Sequence, residues 1–350
     1  MNKIKFIIIS FFLSNCSSND NQIKVSNEIK HFDKFPIEKK MKVEDVIEYD
    51  KDAVLRMHIQ DSILVLHKRN KKDGFYFENI NLKTKKAVHE YIRKGRGANE
   101  SLGGFNSGFI NDYLWMFDLT GGNINFIKKK EAFSSKVPSI VKHKIQNSVY
   151  SLVVLDTVNY ITVGDDTSRF KIQKRDIKTG KVLKEYGTFE NVDSQVPVNA
   201  LQSAFESPAF LKPDGSKLVT SFRFTDVIEI YDLKNEFRSK TIQGPINFDV
   251  DFTLKKYGSR NIFLMNSKTR MAFHGGSTVT NRFIYLCFSG NTSEEDKNLS
   301  TKQIFVYDWN GNPVKRLYSD FNIYGIAVRN DETLYAYDAD NGRIVEINIE

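Results

Sequence analysis

The sequence predicts an all-β fold, a six-bladed β-propeller of four-stranded antiparallel blades, carried behind a cleaved lipoprotein signal peptide. Three observations predict it. Six turns of one chemistry recur between Asn81 and Ile344. The runs beside them alternate apolar and polar residues, as in Val227-Ile-Glu-Ile-Tyr231, which is the period of a strand. A short apolar leader ends at Cys16.

Each turn opens on Asp or Asn, whose side chain bonds its own backbone two residues on. Gly or Asn then supplies the positive φ that a tight hairpin needs. The turns are Asn81-Leu-Lys-Thr-Lys-Lys-Ala-Val88, Asp118-Leu-Thr-Gly-Gly-Asn-Ile124 and Asp176-Ile-Lys-Thr-Gly-Lys-Val182. Asp232-Leu-Lys-Asn-Glu-Phe237, Asp308-Trp-Asn-Gly-Asn-Pro-Val314 and Asp338-Ala-Asp-Asn-Gly-Arg-Ile344 follow. They are read as equivalent, each lying before the last strand of its unit.

The stretch from Ser207 holds a whole blade: strands at 207–211, 217–224, 226–232 and 237–242, with Pro213-Asp-Gly215 as the first turn. One such sheet cannot bury both faces, and stacking in a ring covers them. Six blades over the mature chain give about 50 residues each, at the long end of propeller repeats. The unit around Asp118 is short, which points to a blade that borrows strands across a boundary. Nothing follows Ile349 to make a fourth strand, so Lys42-Val-Glu-Asp-Val-Ile47 is expected to complete the last blade and lock the ring.

The leader has a basic start, Met1-Asn-Lys-Ile-Lys5, and an apolar run from Phe6 to Leu13. That run is far shorter than the roughly 20 residues of a membrane span, so it reads as a secretory signal. Leu13-Ser-Asn-Cys16 has the form of a bacterial lipobox, with Asn15 where Gly or Ala is usual. The expected organisation is a signal peptide at 1–15, a flexible tether at 16–34 from a lipidated Cys16, and the propeller at 35–350. Eighteen tether residues would reach about 20–25 Å as a coil.

The formal charge is +8, and loss of Lys3 and Lys5 leaves 8 − 2 = +6. Ten basic residues against three acids lie between Leu66 and Arg96. Lysines at hairpin turns and edge strands account for such a run, because they keep sheet edges from pairing with other chains. Cys287, inside Arg282-Phe-Ile-Tyr-Leu-Cys-Phe288, reads as a small buried hydrophobe.

The chain resembles the TolB-like six-bladed propeller lipoproteins of Bacteroidetes, the BF3164-like group. The lipobox, Arg93-Lys-Gly-Arg-Gly-Ala-Asn-Glu100, Val196-Pro-Val-Asn-Ala200, Phe210-Leu-Lys-Pro-Asp-Gly215 and Ile230-Tyr-Asp232 carry the resemblance in that order. Ala98 stands where the family has Pro. The resemblance covers the mature chain and implies fold and anchoring.

Catalytic motifs do not assemble. Gly95-Arg-Gly97 lacks the Gly-Lys-Ser/Thr end of a phosphate loop. His274-Gly-Gly-Ser277 lacks a partner nucleophile elbow. Asp338-Ala-Asp-Asn-Gly342 misplaces the Gly and Glu of a calcium loop. The six His show no paired zinc spacing. No cofactor and no metal are therefore expected.

The leading expectation is a lipid-anchored cell-envelope propeller, held at the outer membrane on its periplasmic or outer side. It acts as a monomeric, non-enzymatic module for an envelope protein, a peptide or a glycan. Arg93, Arg96, Glu100, Arg169, Arg223 and Arg282 are the candidate ligand residues, the arginines Arg96, Arg169, Arg223 and Arg282 being placed in loops at one end of the ring. The alternative is a propeller hydrolase or lyase whose catalytic or metal-binding groups are scattered around the central channel. Nucleic acid is not an expected partner, because no aromatic stacking module accompanies the basic residues.

Overall fold

The computed structural model describes residues 22–49, 51–69, 74–145, 149–258, 260–263, 265–297 and 301–350. Cys16 and the signal segment lie outside the described residues.

Six sheets form the ring. Blade 1 contains Val54–Gln60, Ile63–Lys68, Phe75–Asn81 and Lys86–Lys94. Blade 2 contains Asn106–Ile110, Tyr113–Asp118, Asn123–Lys128 and Ile140–Lys144. Blade 3 contains Val149–Val154, Asn159–Asp165, Phe170–Asp176 and Val182–Thr188. Blade 4 contains Ala209–Leu211, Lys217–Ser221, Val227–Asp232 and Arg238–Gln243, close to the strands read from the sequence. Blade 5 contains Thr278–Val279, Phe283–Phe288, Gln303–Asp308 and Pro313–Tyr318. Blade 6 contains Ile323–Arg329, Thr333–Asp338 and Arg343–Asn348, completed by Val43–Glu48. That last pairing is antiparallel and closes the ring where the sequence predicts it.

Strands within a blade run up and down, which gives the ring two distinct ends. Turns after the first and third strands lie at one end, called lower here. Turns after the second strand, and connections between blades, lie at the upper end. By this rule the six Asx turns are not equivalent. Asn81, Asp176, Asp232 and Asp308 close third strands, whereas Asp118 and Asp338 close second strands. Blade 2 therefore borrows nothing; its anchor marks a different turn. The Asx bond is as read in all six: the carboxylate or amide oxygen accepts backbone N–H groups from Lys83, Gly121, Thr179, Lys234, Asn310 and Asp340 in turn. The positive φ falls on glycine in four turns, but on Lys85 after Asn81 and on Glu236 and Phe237 after Asp232, which corrects the expectation of Gly or Asn there.

The core lies between blades, as ring closure requires. One apolar cluster joins blades 5 and 6 through Tyr285, Val306, Ile326 and Val345. Others join blades 6 and 1, 1 and 2, 2 to 4, and 4 and 5. Central strands are thus covered on both faces, and a polar residue on them must find a partner. Glu229 is such a residue: it is buried and takes Lys171 of blade 3 at 2.7 Å. Lys68 is likewise buried and paired with Glu78 and Glu90. Cys287 is fully buried, and burial pushes its thiol up to about 12.

The expected tether to residue 34 is corrected by the path of residues 22–34. Ile23 and Val25 are buried in an upper cap with Phe189, Leu201, Phe205 and Phe222. Lys24 pairs with Glu190, and Ile29–His31 adds a parallel strand to the edge of blade 4. Glu38–Lys40 does the same for blade 5. The segment belts blades 4, 5 and 6 and covers two sheet edges that would otherwise be open. Its apolar residues, Ile23 and Val25, explain why it docks.

Candidate ligand cavity in the propeller channel

The first strand of each blade lines the channel. In blade 1 that strand reads Val54-Leu-Arg-Met-His-Ile-Gln60, and alternation puts Arg56 and His58 on one face. Arg56 reaches across the channel to blade 4, its guanidinium 5.1 Å from the ring centroid of Phe210. It is only 7% exposed. It divides the channel into an upper cavity of about 430 Å³ and a lower one of about 280 Å³, both of which it lines.

The upper cavity holds the polar groups that converge. Arg56 forms its floor, Arg69 and Arg223 stand at its sides, and His274, Gly275 and Gly276 line one wall. Phe105, Tyr150, Phe273 and Tyr324 supply aromatic surface. Arg223 Nη1 donates to Glu206 at 2.9 Å, and Arg223 and Tyr150 lie close enough to interact electrostatically. Among the described residues no carboxylate and no hydrogen-bond acceptor meets the Arg56 guanidinium, which lies over the Phe210 ring face. Burial lowers its pKa to about 10, with Tyr150 and Cys287 acting in the opposite direction. It is still a cation at neutral pH.

Gly276 makes this wall possible. A Cβ there would lie 1.7 Å from the Tyr324 carbonyl oxygen, so only glycine lets blades 5 and 6 approach so closely. A Cβ on Gly275 would meet only the Arg56 guanidinium, at 3.5 Å. The His-Gly-Gly-Ser run is therefore a channel wall, and Ser277 Oγ is used internally, donating to the His274 carbonyl and accepting from Cys287 N–H.

The imidazoles here are kept neutral. Burial, then Arg223 and Arg56, brings His274 down to about 4. Burial, then Arg56, brings His58 down to about 3. In the lower channel Ser107 Oγ lies 2.9 Å from both His58 Nε2 and His67 Nδ1. This has the outline of a nucleophile and base, but an imidazole at about 3 is a weak proton acceptor, far from the value near operating pH that general-base work favours. No carboxylate hydrogen-bonds either ring among the described residues.

The sequence-predicted residues scatter. Of the six, Arg223 alone lines the upper cavity. Arg93 and Arg96 are exposed at the outer edge of blade 1. Glu100 folds back to accept the Gly97 N–H at 2.8 Å, and its carboxylate fills the space where a Gly95 side chain would go. That motif is a self-contained turn. Arg169 is half-buried and clips a connection by donating to the carbonyls of Ser194 and Val196. Arg282 lies in a lower-end turn, against Phe283; the expectation that it shares an end with Arg223 is corrected. Arg56 was missed. A basic residue inside the first strand of a blade, with no acid nearby in that strand, was the available signal.

Among the described residues no helix is long and apolar enough to cross a membrane, and no group of three His, Cys, Asp or Glu side chains is placed to hold a metal.

Comparison with known proteins agrees with this architecture. A member of the DUF4221 family from Bacteroides vulgatus superposes with a TM-score of 0.58 at 11% identity, over 89% of this chain and 97% of its own. An exported protein, so described as putative, from Bacteroides fragilis gives 0.54 at 11% identity, over 90% and 99%. The Swd1 β-propeller domain of Myceliophteria thermophila gives 0.52 at 10%, over 89% and 100%. At such identities the likeness is one of fold. No curated protein matches the chain. The model of the TolB-like six-blade propeller family matches residues 31–331, which take in five whole blades and two strands of the sixth, Ile323–Arg329 and Val43–Glu48; the chain belongs to that family.

Proposed function

We propose that the chain is a lipid-anchored cell-envelope propeller, a non-enzymatic binding module whose upper channel cavity takes a small ligand bearing a carboxylate or phosphate. The observation that carries this is Arg56: a buried cation in a cavity, without a counter-charge. Burying a charge unpaired is costly, and a bound anion would supply the missing partner. The planar guanidinium suits an oxyanion. Arg223 stands closer to the mouth, partly neutralised by Glu206. The aromatic walls offer flat surfaces to the apolar face of a sugar or ring. The cavity volume is that of a small-molecule site. The envelope setting rests on the leader and on Cys16.

Titration calorimetry with glucuronate, galacturonate, a peptide with a free C-terminal carboxylate, inorganic phosphate and neutral glucose tests the reading. An anion should bind and glucose should not. Arg56→Met should weaken binding by about 2 kcal/mol or more, roughly thirty-fold. The same change should leave the melting temperature unchanged or raised, because methionine removes a buried unpaired charge. Failure of every anion to bind, or binding that survives Arg56→Met, would overturn the site.

A further inference from the structure

The belt that closes the ring also says how an anchored ring must stand. Residues 22–25 are stitched into the upper end. Gln22 Nε2 donates to the Val250 carbonyl at 3.3 Å, in the connection from blade 4 to blade 5. Lys24 and Glu190 exchange two backbone hydrogen bonds, at 3.2 and 2.9 Å, in the connection from blade 3 to blade 4. Val25 O accepts from the buried Lys171 at 2.6 Å. The first described residue, Gln22, is therefore fixed at the end that carries the mouth of the Arg56 cavity.

From Cys16 to Gln22 is 22 − 16 = 6 residue steps. Six steps span at most about 20 Å fully extended, and about 13 Å as a coil. A seven-residue strand such as Phe170–Asp176 makes the same six steps and itself rises about 20 Å, before the turn beyond it is counted. As a coil, an anchor of that reach falls short of the lower end while residue 22 stays docked at the upper end; only a fully stretched anchor laid along the side of a blade would match the height of a strand. A second observation points the same way. The connection that receives Gln22 also exposes Ile246, Leu254 and Met265, at 45%, 36% and 45%. Apolar side chains at an anchored face suit the boundary between headgroups and acyl chains.

We infer that the upper end is the membrane-apposed surface of the propeller, so that the Arg56 cavity opens toward the lipid headgroups and the lower-end turns face away. This rests on the reading of Cys16 as a lipidated anchor and is independent of what the cavity binds.

The test uses the full-length protein, lipidated in a bacterial host and reconstituted into phosphatidylethanolamine–phosphatidylglycerol vesicles containing an acceptor-labelled lipid. Donor dyes are placed by Asp166→Cys, in the upper turn of blade 3, or Lys178→Cys, in its lower turn. Both positions are exposed. Cys287 is buried and does not compete for the dye. Greater energy transfer at position 166 than at 178, with vesicle association lost in Cys16→Ser, is the expected result. Equal or greater transfer at 178, in protein that associates through Cys16, overturns the orientation alone. Protein that does not associate, or that associates equally well as Cys16→Ser, overturns the anchor and the orientation with it. The calorimetric test of the cavity stands apart from all three outcomes.

Discussion

Ile47 lies opposite Ile344 in the register of the last blade, so residues from the two ends of the chain share one sheet. Ile47 is 5% exposed and packs with Val54, Leu66 and Tyr337 between blades 6 and 1. Ile47→Ala should cost about 2–4 kcal/mol, the range for a buried isoleucine cut to alanine. Because closure couples all blades, urea unfolding should show one transition shifted to lower denaturant. An early, partial transition confined to blade 6 would count against a cooperative ring.

Lys171 and Glu229 join blade 3 to blade 4 and to the N-terminal belt in one buried contact. Glu229 also takes the Tyr231 hydroxyl at 2.7 Å and the Thr241 hydroxyl at 3.2 Å. Lys171→Met leaves that carboxylate buried without its cation, a change of about 3–5 kcal/mol. Adding Glu229→Gln to Lys171→Met should recover part of it. Amide exchange at Ile23–Val25 should quicken in the single variant, since the Val25 carbonyl loses its donor. Unchanged exchange there would show that the belt is held by the apolar cap alone.

Stability should fall in mild acid, and the sign follows from the channel histidines. His58, His67 and His274 have folded pKa values below the ordinary 6.5, chiefly through burial. The unfolded chain therefore takes up protons first. Their neutral burial is without cost above about pH 6.5, and stability declines as pH falls from there toward about 4 for His274 and about 3 for His58. Each contributes up to about 1.4 kcal/mol per pH unit inside its window. Denaturation series at pH 7.0, 6.0 and 5.0 measure the slope, and His58→Asn should flatten it. A flat profile over this window would mean that the three rings are protonated in the folded state.

The ring was legible because its grammar is local. Asx turns, alternating strands and a missing last strand are all readable at short range, and Val43–Glu48 falls where that count demands. The turns misled in one respect: Asp118 and Asp338 share the chemistry of the other four while closing a different hairpin, since an Asx turn does not record which strands it joins. Alternation misled in another. Glu229 sits at a polar position that looks solvent-facing, yet a propeller strand has a neighbour on both sides, so Glu229 is buried and paired. The cavity was least legible. Arg56, Tyr150, Arg223 and His274 come from four blades and meet only when the ring closes. Arg93, near the end of an outer strand, and the loop arginines Arg96 and Arg282 drew attention because basic segments look like sites, but they sit away from the channel.

Ligand binding should be coupled to proton uptake at His274. That ring is pressed down by burial and then by Arg223 and Arg56, and both cations face the proposed anion. A carboxylate or phosphate seated on Arg56 offsets their charge and raises His274 from about 4. The complex then binds more protons than the free protein, so affinity should rise as pH is lowered from 7 toward 5, until protonation of the ligand or loss of stability intervenes. Calorimetry at pH 5.5 in two buffers of different ionisation enthalpy reads the proton count directly. His274→Gln should remove the dependence while keeping binding at pH 7 within a few-fold. A proton count of zero in the wild-type protein would place the anion away from His274, and affinity that falls with acid would reverse the sign on which this coupling depends.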